Sequence, residues 1–142
     1  MLLPITLTLA AACAFLTFWL GVRCSKIRVK AQILHGDGGD ALLGKRMRAH
    51  ANFSEYAPIV LILTALVELA VGSSIWLWIA ALAFVIGRIA HAFGMDSDKP
   101  GALRAGGILL TMLVMLGLAV AALVTAYQAS REVPAPPAMA QV

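Results

Sequence analysis

The sequence predicts an all-α fold, an integral membrane four-helix bundle, and two observations carry that expectation. The first is composition: 61% of the 142 residues are hydrophobic and 13% charged, with a mean hydropathy of +0.90. A soluble domain has an apolar share of about 45–50% and a charged share of about 25%, so water cannot be the main solvent. The second is spacing, because charges are separated by apolar runs long enough to cross a hydrocarbon core of about 30 Å at 1.5 Å per residue. The expected organisation is one domain over residues 1–130, with helices at about 2–34, 42–71, 74–95 and 101–129, followed by a disordered tail, 131–142, with three prolines among alanines.

Leu2 to Val22 carries no charge and forms helix one, which runs on through Arg23, Lys26, Arg28 and Lys30 as a basic extension. Their long side chains can snorkel toward headgroups. Ala10-Ala11-Ala12-Cys13 has the small residues of a cleaved leader, but Met1-Leu2-Leu3-Pro4 lacks the basic start that a leader requires, so the helix is read as retained. Cys13 and Cys24 stand eleven residues apart on this one helix, too far for a disulfide between them. They are read as free, lipid-shielded thiols.

His35-Gly36-Asp37-Gly38-Gly39-Asp40 breaks the helix with turn formers. It lacks the Gly-Lys-Ser/Thr that would make it a phosphate loop. Helix two carries Lys45, Arg46, Arg48, His50, Asn52, Glu55 and Glu68 among apolar residues, so its charges must face protein or water; Pro58 is tolerable inside a bundle. Glu68, near its end, is read as interfacial. Helix three is uncharged from Leu69 to Gly87, with Trp76 and Trp78 at aromatic-belt positions, and ends in Arg88 and His91. The polar turn Gly94 to Gly101 leads to Arg104 and a fourth apolar span, in which Gly106-Gly107 would allow close helix approach.

Basic residues concentrate in the first and third loops, which places those loops in the cytoplasm and both termini outside it. The net charge of +4 suits anionic lipid headgroups or an anionic substrate. With no basic cluster on a soluble face, nucleic acid is excluded as a partner, and no metal site is expected. A transporter is disfavoured by the lack of internal repeats and of paired broken helices.

Arg48, Asn52 and Glu55 stand at i, i+4 and i+7 and share one stripe of helix two. Ionisable groups at membrane depth cost roughly 2.5–3.5 kcal/mol each on insertion scales, so something must compensate them. One answer is a packing network, in which Arg48 pairs with Glu55 directly or through Asn52, or Glu55 pairs with Arg88 or Arg104. The other is a ligand. Arg48, Arg88, Arg104 and a basic residue of helix one, Lys26 or Arg28, outnumber the single Glu55. Guanidinium forks suit carboxylates, and one acid suits an ammonium, so a small anion with an α-amino group fits.

The run Arg48-Ala49-His50-Ala51-Asn52-Phe53-Ser54-Glu55-Tyr56-Ala57-Pro58 resembles the helix-two signature of the bacterial branch of the MAPEG family, the membrane-associated proteins of eicosanoid and glutathione metabolism. Gly87-Arg88-Ile89-Ala90-His91 and Arg104, sixteen residues after Arg88, are similar to a second family motif, and the likeness covers Arg23 to about Ala129. The resemblance implies a homotrimer binding glutathione as cosubstrate between protomers near the cytoplasmic face of a bacterial inner membrane. It further implies a glutathione-dependent transferase or peroxidase acting on lipophilic electrophiles that enter from membrane lipids. Carried over residue by residue, Arg48 and Asn52 hold the tripeptide's carboxylates or backbone, Glu55 its amino group and Arg88 supports them. Arg104 stabilises the thiolate that acts as nucleophile. His50 and His91 are further candidate ligand contacts. The chain departs from the pattern at Met95, Ala105 and Ile108, where family enzymes carry tyrosines and a serine. The family also has non-enzymatic members, which keeps open the alternative of a membrane protein binding a lipid or a partner protein.

Overall fold

The computed structural model describes residues 2–99 and 101–132, in which four helices follow one another: α1 (Pro4–Ala31), α2 (Ala41–Val71), α3 (Ile75–Gly94) and α4 (Ala102–Glu132). Local chemistry sets their ends. Pro4 opens α1, where its missing N–H costs nothing and its fixed φ is already helical. The first loop contains Gly36, Gly38 and Gly39 at positive φ, a backbone region that side chains resist. Asp40 then caps α2 by accepting from the Leu43 amide at 2.8 Å. Arg131 and Glu132 belong to α4, whereas the rest of the tail expected to be disordered, 133–142, lies outside the described residues.

All four helices are long and apolar enough to cross a membrane. The chain is therefore an integral membrane protein. α3 and α4 form the most extensive pair; α1 packs on α2 and α3, and α4 also packs on α2, while among the described residues α1 and α4 do not touch. Ile5, Leu9, Cys13, Leu16 and Leu20 recur at three- and four-residue steps and form one stripe of α1, packed against Phe53, Val60, Leu77 and Phe84. Leu7, Phe15 and Phe18 on the opposite side are exposed, as a helix bathed in lipid tails permits. Both cysteines are free, and both are shielded by the bundle itself, Cys13 within its core.

The α3–α4 pair is close because its interface has no side chain in the way. A Cβ on Gly107 would stand 2.6 Å from the His91 amide nitrogen, and one on Gly94 would run into the backbone of Arg104. Gly107 thus meets the expectation of close approach, whereas Gly106 faces open space.

Glu68, near the end of α2, is 1% exposed and held by the chain itself. Its carboxylate accepts from the Ile5 and Thr6 amides at 3.0 and 2.8 Å, and from the Thr6 and Ser73 hydroxyls, each at 2.7 Å. It therefore caps the first turn of α1 from a neighbouring helix, where the positive end of the helix dipole favours an anion.

Candidate functional site

At the basic end of the bundle, α2 and the α3–α4 pair enclose a cavity of about 470 Å³, lined by Arg48, Asn52, His91, Met95, Gly101, Arg104, Ala105 and Ile108. The helical spacing of Arg48 and Asn52 presents both from α2. The glycine contacts between α3 and α4 bring His91 and Arg104 together, and the His91 Nδ1 lies 3.1 Å from the Arg104 carbonyl oxygen. That oxygen can only accept, so Nδ1 carries a proton.

Arg88 stands behind this wall, 2% exposed. It donates to Asn52 Oδ1 at 2.8 Å and to Thr111 Oγ1 at 3.4 Å, and its guanidinium lies 5.9 Å from the ring centroids of both Phe53 and Tyr56. These acceptors are neutral, and its Nε is buried without a hydrogen-bond partner among the described residues. Arg48 reaches Glu55 directly at 3.3 Å, with both side chains more than half exposed (64% and 51%). Arg104 is exposed and has no carboxylate partner among the described residues. Arg48 and Arg104 thus line the cavity and Arg88 stands behind it, with Glu55 as the carboxylate paired to one of them. The departures at Met95, Ala105 and Ile108 all fall on the cavity wall, making one flank apolar.

The remaining candidates lie elsewhere in the chain. Arg28 and His50 line a second cavity, of about 420 Å³, between α1 and α2, with Cys24, Ser25 and Ser54. Arg28 donates to the Leu34 carbonyl and to the Met47 sulfur, each at 3.3 Å. Lys26 faces a third groove with Lys30 and Asp40. The candidate set is therefore split across two faces of α2, with Arg48 and Asn52 on one and His50 and Ser54 on the other.

One polar cluster was not anticipated from sequence. Asp96, in the α3–α4 turn, accepts from Arg23 at 2.6 Å and from Arg46 through both oxygens, at 3.2 and 3.0 Å. Arg23 lies between Trp19 and Phe93, 4.8 and 5.5 Å from their ring centroids, and donates to the Ala92 carbonyl at 3.1 Å. Partial burial pushes the Asp96 carboxyl upward, but the hydrogen bonds from Arg46 and the charge of Arg23 outweigh it and hold the group below its usual range. Lys45 pairs with the exposed Asp98 next to it, and that hydrogen bond lowers the Asp98 carboxyl. The one sequence signal was Trp19 four residues before Arg23, the spacing of a cation–π pair on a helix.

A bundle of four helices, each long and apolar enough to cross a membrane, with two arginines lining a cavity at one end, is the architecture of a small integral membrane protein. The MAPEG family model matches residues 6–124, and the chain belongs to that family. Among curated proteins it is similar to the inner membrane protein YecN of Escherichia coli strain K12 and to the protein of the same name from strain CFT073. In each case 31% of 70 aligned residues are identical, 49% of this chain and 53% of the relative. The chain thus spans about half the length of the curated relatives it matches.

Proposed function

We propose that the protein is a glutathione-dependent transferase or peroxidase acting on lipophilic electrophiles at the inner membrane. One observation carries this reading: Arg48 and Arg104 line a single cavity, with Arg88 held behind its wall against Asn52 and with Glu55 beside Arg48 as the local carboxylate. Glutathione has two carboxylates, one ammonium and a thiol, and the residues suit those groups. Arg48 and Asn52, the latter held by Arg88, suit the carboxylates, and Glu55 suits the ammonium. Arg104, uncommitted to any carboxylate among the described residues, suits a sulfur that must be held as thiolate. The role of Arg104 is to favour the anionic nucleophile. Its sulfur forms a bond to an electrophilic carbon as a leaving group or a π electron pair departs, or to a peroxide oxygen as the O–O bond breaks. The peroxide route releases an alcohol and a glutathione sulfenic acid, which a second glutathione converts to the disulfide and water. The apolar flank of Met95, Ala105 and Ile108 gives a hydrophobic substrate a face to lie against.

Assembly as a homotrimer, implied by family membership, would account for the split candidates. With α2 near the axis, the Arg28 and His50 face of one protomer can close on the Arg48 and Asn52 face of the next, leaving Lys26 outside. The relatives' description as inner membrane proteins, together with the basic loops, supports an inner-membrane location with both termini outside the cytoplasm.

A second reading is supported by that same apolar flank: without the family's hydroxyls, the cavity suits a lipid or a partner protein in a non-enzymatic role. Titration calorimetry with glutathione on detergent-purified protein and on an Arg48→Ala, Glu55→Ala double variant separates the two. Saturable binding lost in the variant supports the enzyme. No binding by the wild type would reject glutathione and leave the lipid- or partner-binding role.

A further inference from the structure

The cavity has two sides of different origin. Arg48 and Asn52 come from α2, whereas His91, Met95, Gly101 and Arg104 come from the end of α3, the following turn and the start of α4. The glycine contacts fix α3 against α4, but they do not set where this pair's turn stands relative to α2. Among the described residues, the side-chain bonds that tie the turn to α1 and α2 all end on Asp96 and Asp98.

The two ties are unequal. Asp98 is 93% exposed in its side chain, and an exposed lysine–carboxylate pair holds little. Asp96 is 28% exposed and makes three charge-assisted hydrogen bonds to two arginines. Arg23 is itself immobilised by two aromatic rings and a carbonyl, and Arg46 also donates to the Arg23 carbonyl at 3.4 Å. A cationic socket of Arg23 from α1 and Arg46 from α2, completed by the Phe93 ring and Ala92 carbonyl at the end of α3, therefore grips a single carboxylate next to Met95.

We infer that Asp96 is a positioning residue for the cavity: held by Arg23 and Arg46, it sets the α3–α4 turn so that Met95 and Arg104 face Arg48 and Asn52. It touches no ligand and acts through the placement of the turn. The inference rests on the glutathione reading only for the choice of ligand in one of its two measurements.

The test uses the full chain in detergent, with methyl-labelled methionine observed by NMR and glutathione binding followed by calorimetry. Met95 lines the cavity, and Met115 lies further along α4, packed against the core, and reports on the bundle. In Asp96→Asn one acceptor oxygen becomes a donor facing guanidinium donors. The Met95 methyl signal is expected to move or broaden while Met115 keeps its position. Glutathione binding is expected to weaken at least about tenfold, as a displacement on the order of 1 Å of a binding group can do. Asp96→Glu, which keeps the charge, should recover part of both effects, and Asp98→Asn should change neither. An unmoved Met95 in Asp96→Asn overturns the inference. So does an equal disturbance of Met115, which would mean general loss of packing, or an equal effect of Asp98→Asn. If wild type binds no glutathione, the glutathione reading fails, and positioning is decided by the two methyl signals alone.

Discussion

The two ends of the bundle treat charge in opposite ways. At one end Glu68 is fully buried, and both of its oxygens are occupied by amides and hydroxyls of α1 and the α2–α3 turn. At the other, Arg88 is just as buried but bonds only neutral acceptors and leaves Nε bare, while Arg48 and Arg104 are exposed on the cavity. A charge satisfied within the chain is structural. At the cavity the positive charges outnumber the negative ones, and in the proposed function a ligand supplies the balance.

The contrast can be broken most forcefully at Glu68. Glu68→Ala strands donors worth about 1–3 kcal/mol each. Stability in detergent, followed by denaturant or thermal unfolding, is expected to fall by several kcal/mol while the folded fraction keeps its glutathione affinity. Loss of affinity with stability intact would reverse the assignment.

Gly94→Ala comes next, because the added methyl meets the Arg104 backbone. The expected cost is about 1–3 kcal/mol, as for other overpacked contacts. Unlike Glu68→Ala, it should also weaken binding, since it pushes Arg104 away from His91.

Arg88→Met sharpens the comparison from the other end. A buried cation without a carboxylate partner gains little from its site, and its replacement by an apolar chain is expected to change stability by less than about 1 kcal/mol or to raise it. Anion binding should fall at least about tenfold, or about 1.4 kcal/mol. A steep loss of stability would make Arg88 structural, like Glu68.

Acid titration isolates the Asp96 contribution. Its folded-state pKa is depressed, so the stability it confers is fully present above the unfolded carboxyl value of about 4 and is lost as pH falls through the folded value below that. The thermal midpoint of the wild type should therefore hold from pH 7 to pH 5 and decline below pH 4, and Asp96→Asn should remove part of that decline. The smallest effect belongs to the exposed Arg48–Glu55 pair: Glu55→Gln should cost no more than about 0.5 kcal/mol in stability. Any larger change it makes should appear in glutathione binding.

Much of this was legible in sequence because it is written in periodicity. The charge-free runs marked the helices, and the glycines and aspartates from Gly36 to Asp40 marked the first loop. The stripe of Arg48, Asn52 and Glu55 pointed to the cavity, and the Arg48–Glu55 pair was one of the arrangements it allowed. Two features resisted. Two of the four donors to Glu68 are backbone amides, which every residue but proline carries, and the Thr6 hydroxyl lies 62 residues away in sequence, so nothing local announces the contact. Asp96 meets arginines 73 and 50 residues away, and only the fold brings them together. The division of Arg28 and His50 from the Arg48 cavity was also hidden, because charge counting along the membrane normal does not distinguish sides of a bundle.

The Glu68 cap also bears on how the chain enters a bilayer. α1 is synthesised first, yet the carboxylate that completes its opening turn arrives more than sixty residues later, at the end of α2. Until then the Ile5 and Thr6 amides must stay in contact with water or headgroups at the membrane edge. The α1–α2 hairpin is thus the shortest stretch of the described chain in which the opening turn of α1 finds its carboxylate acceptor.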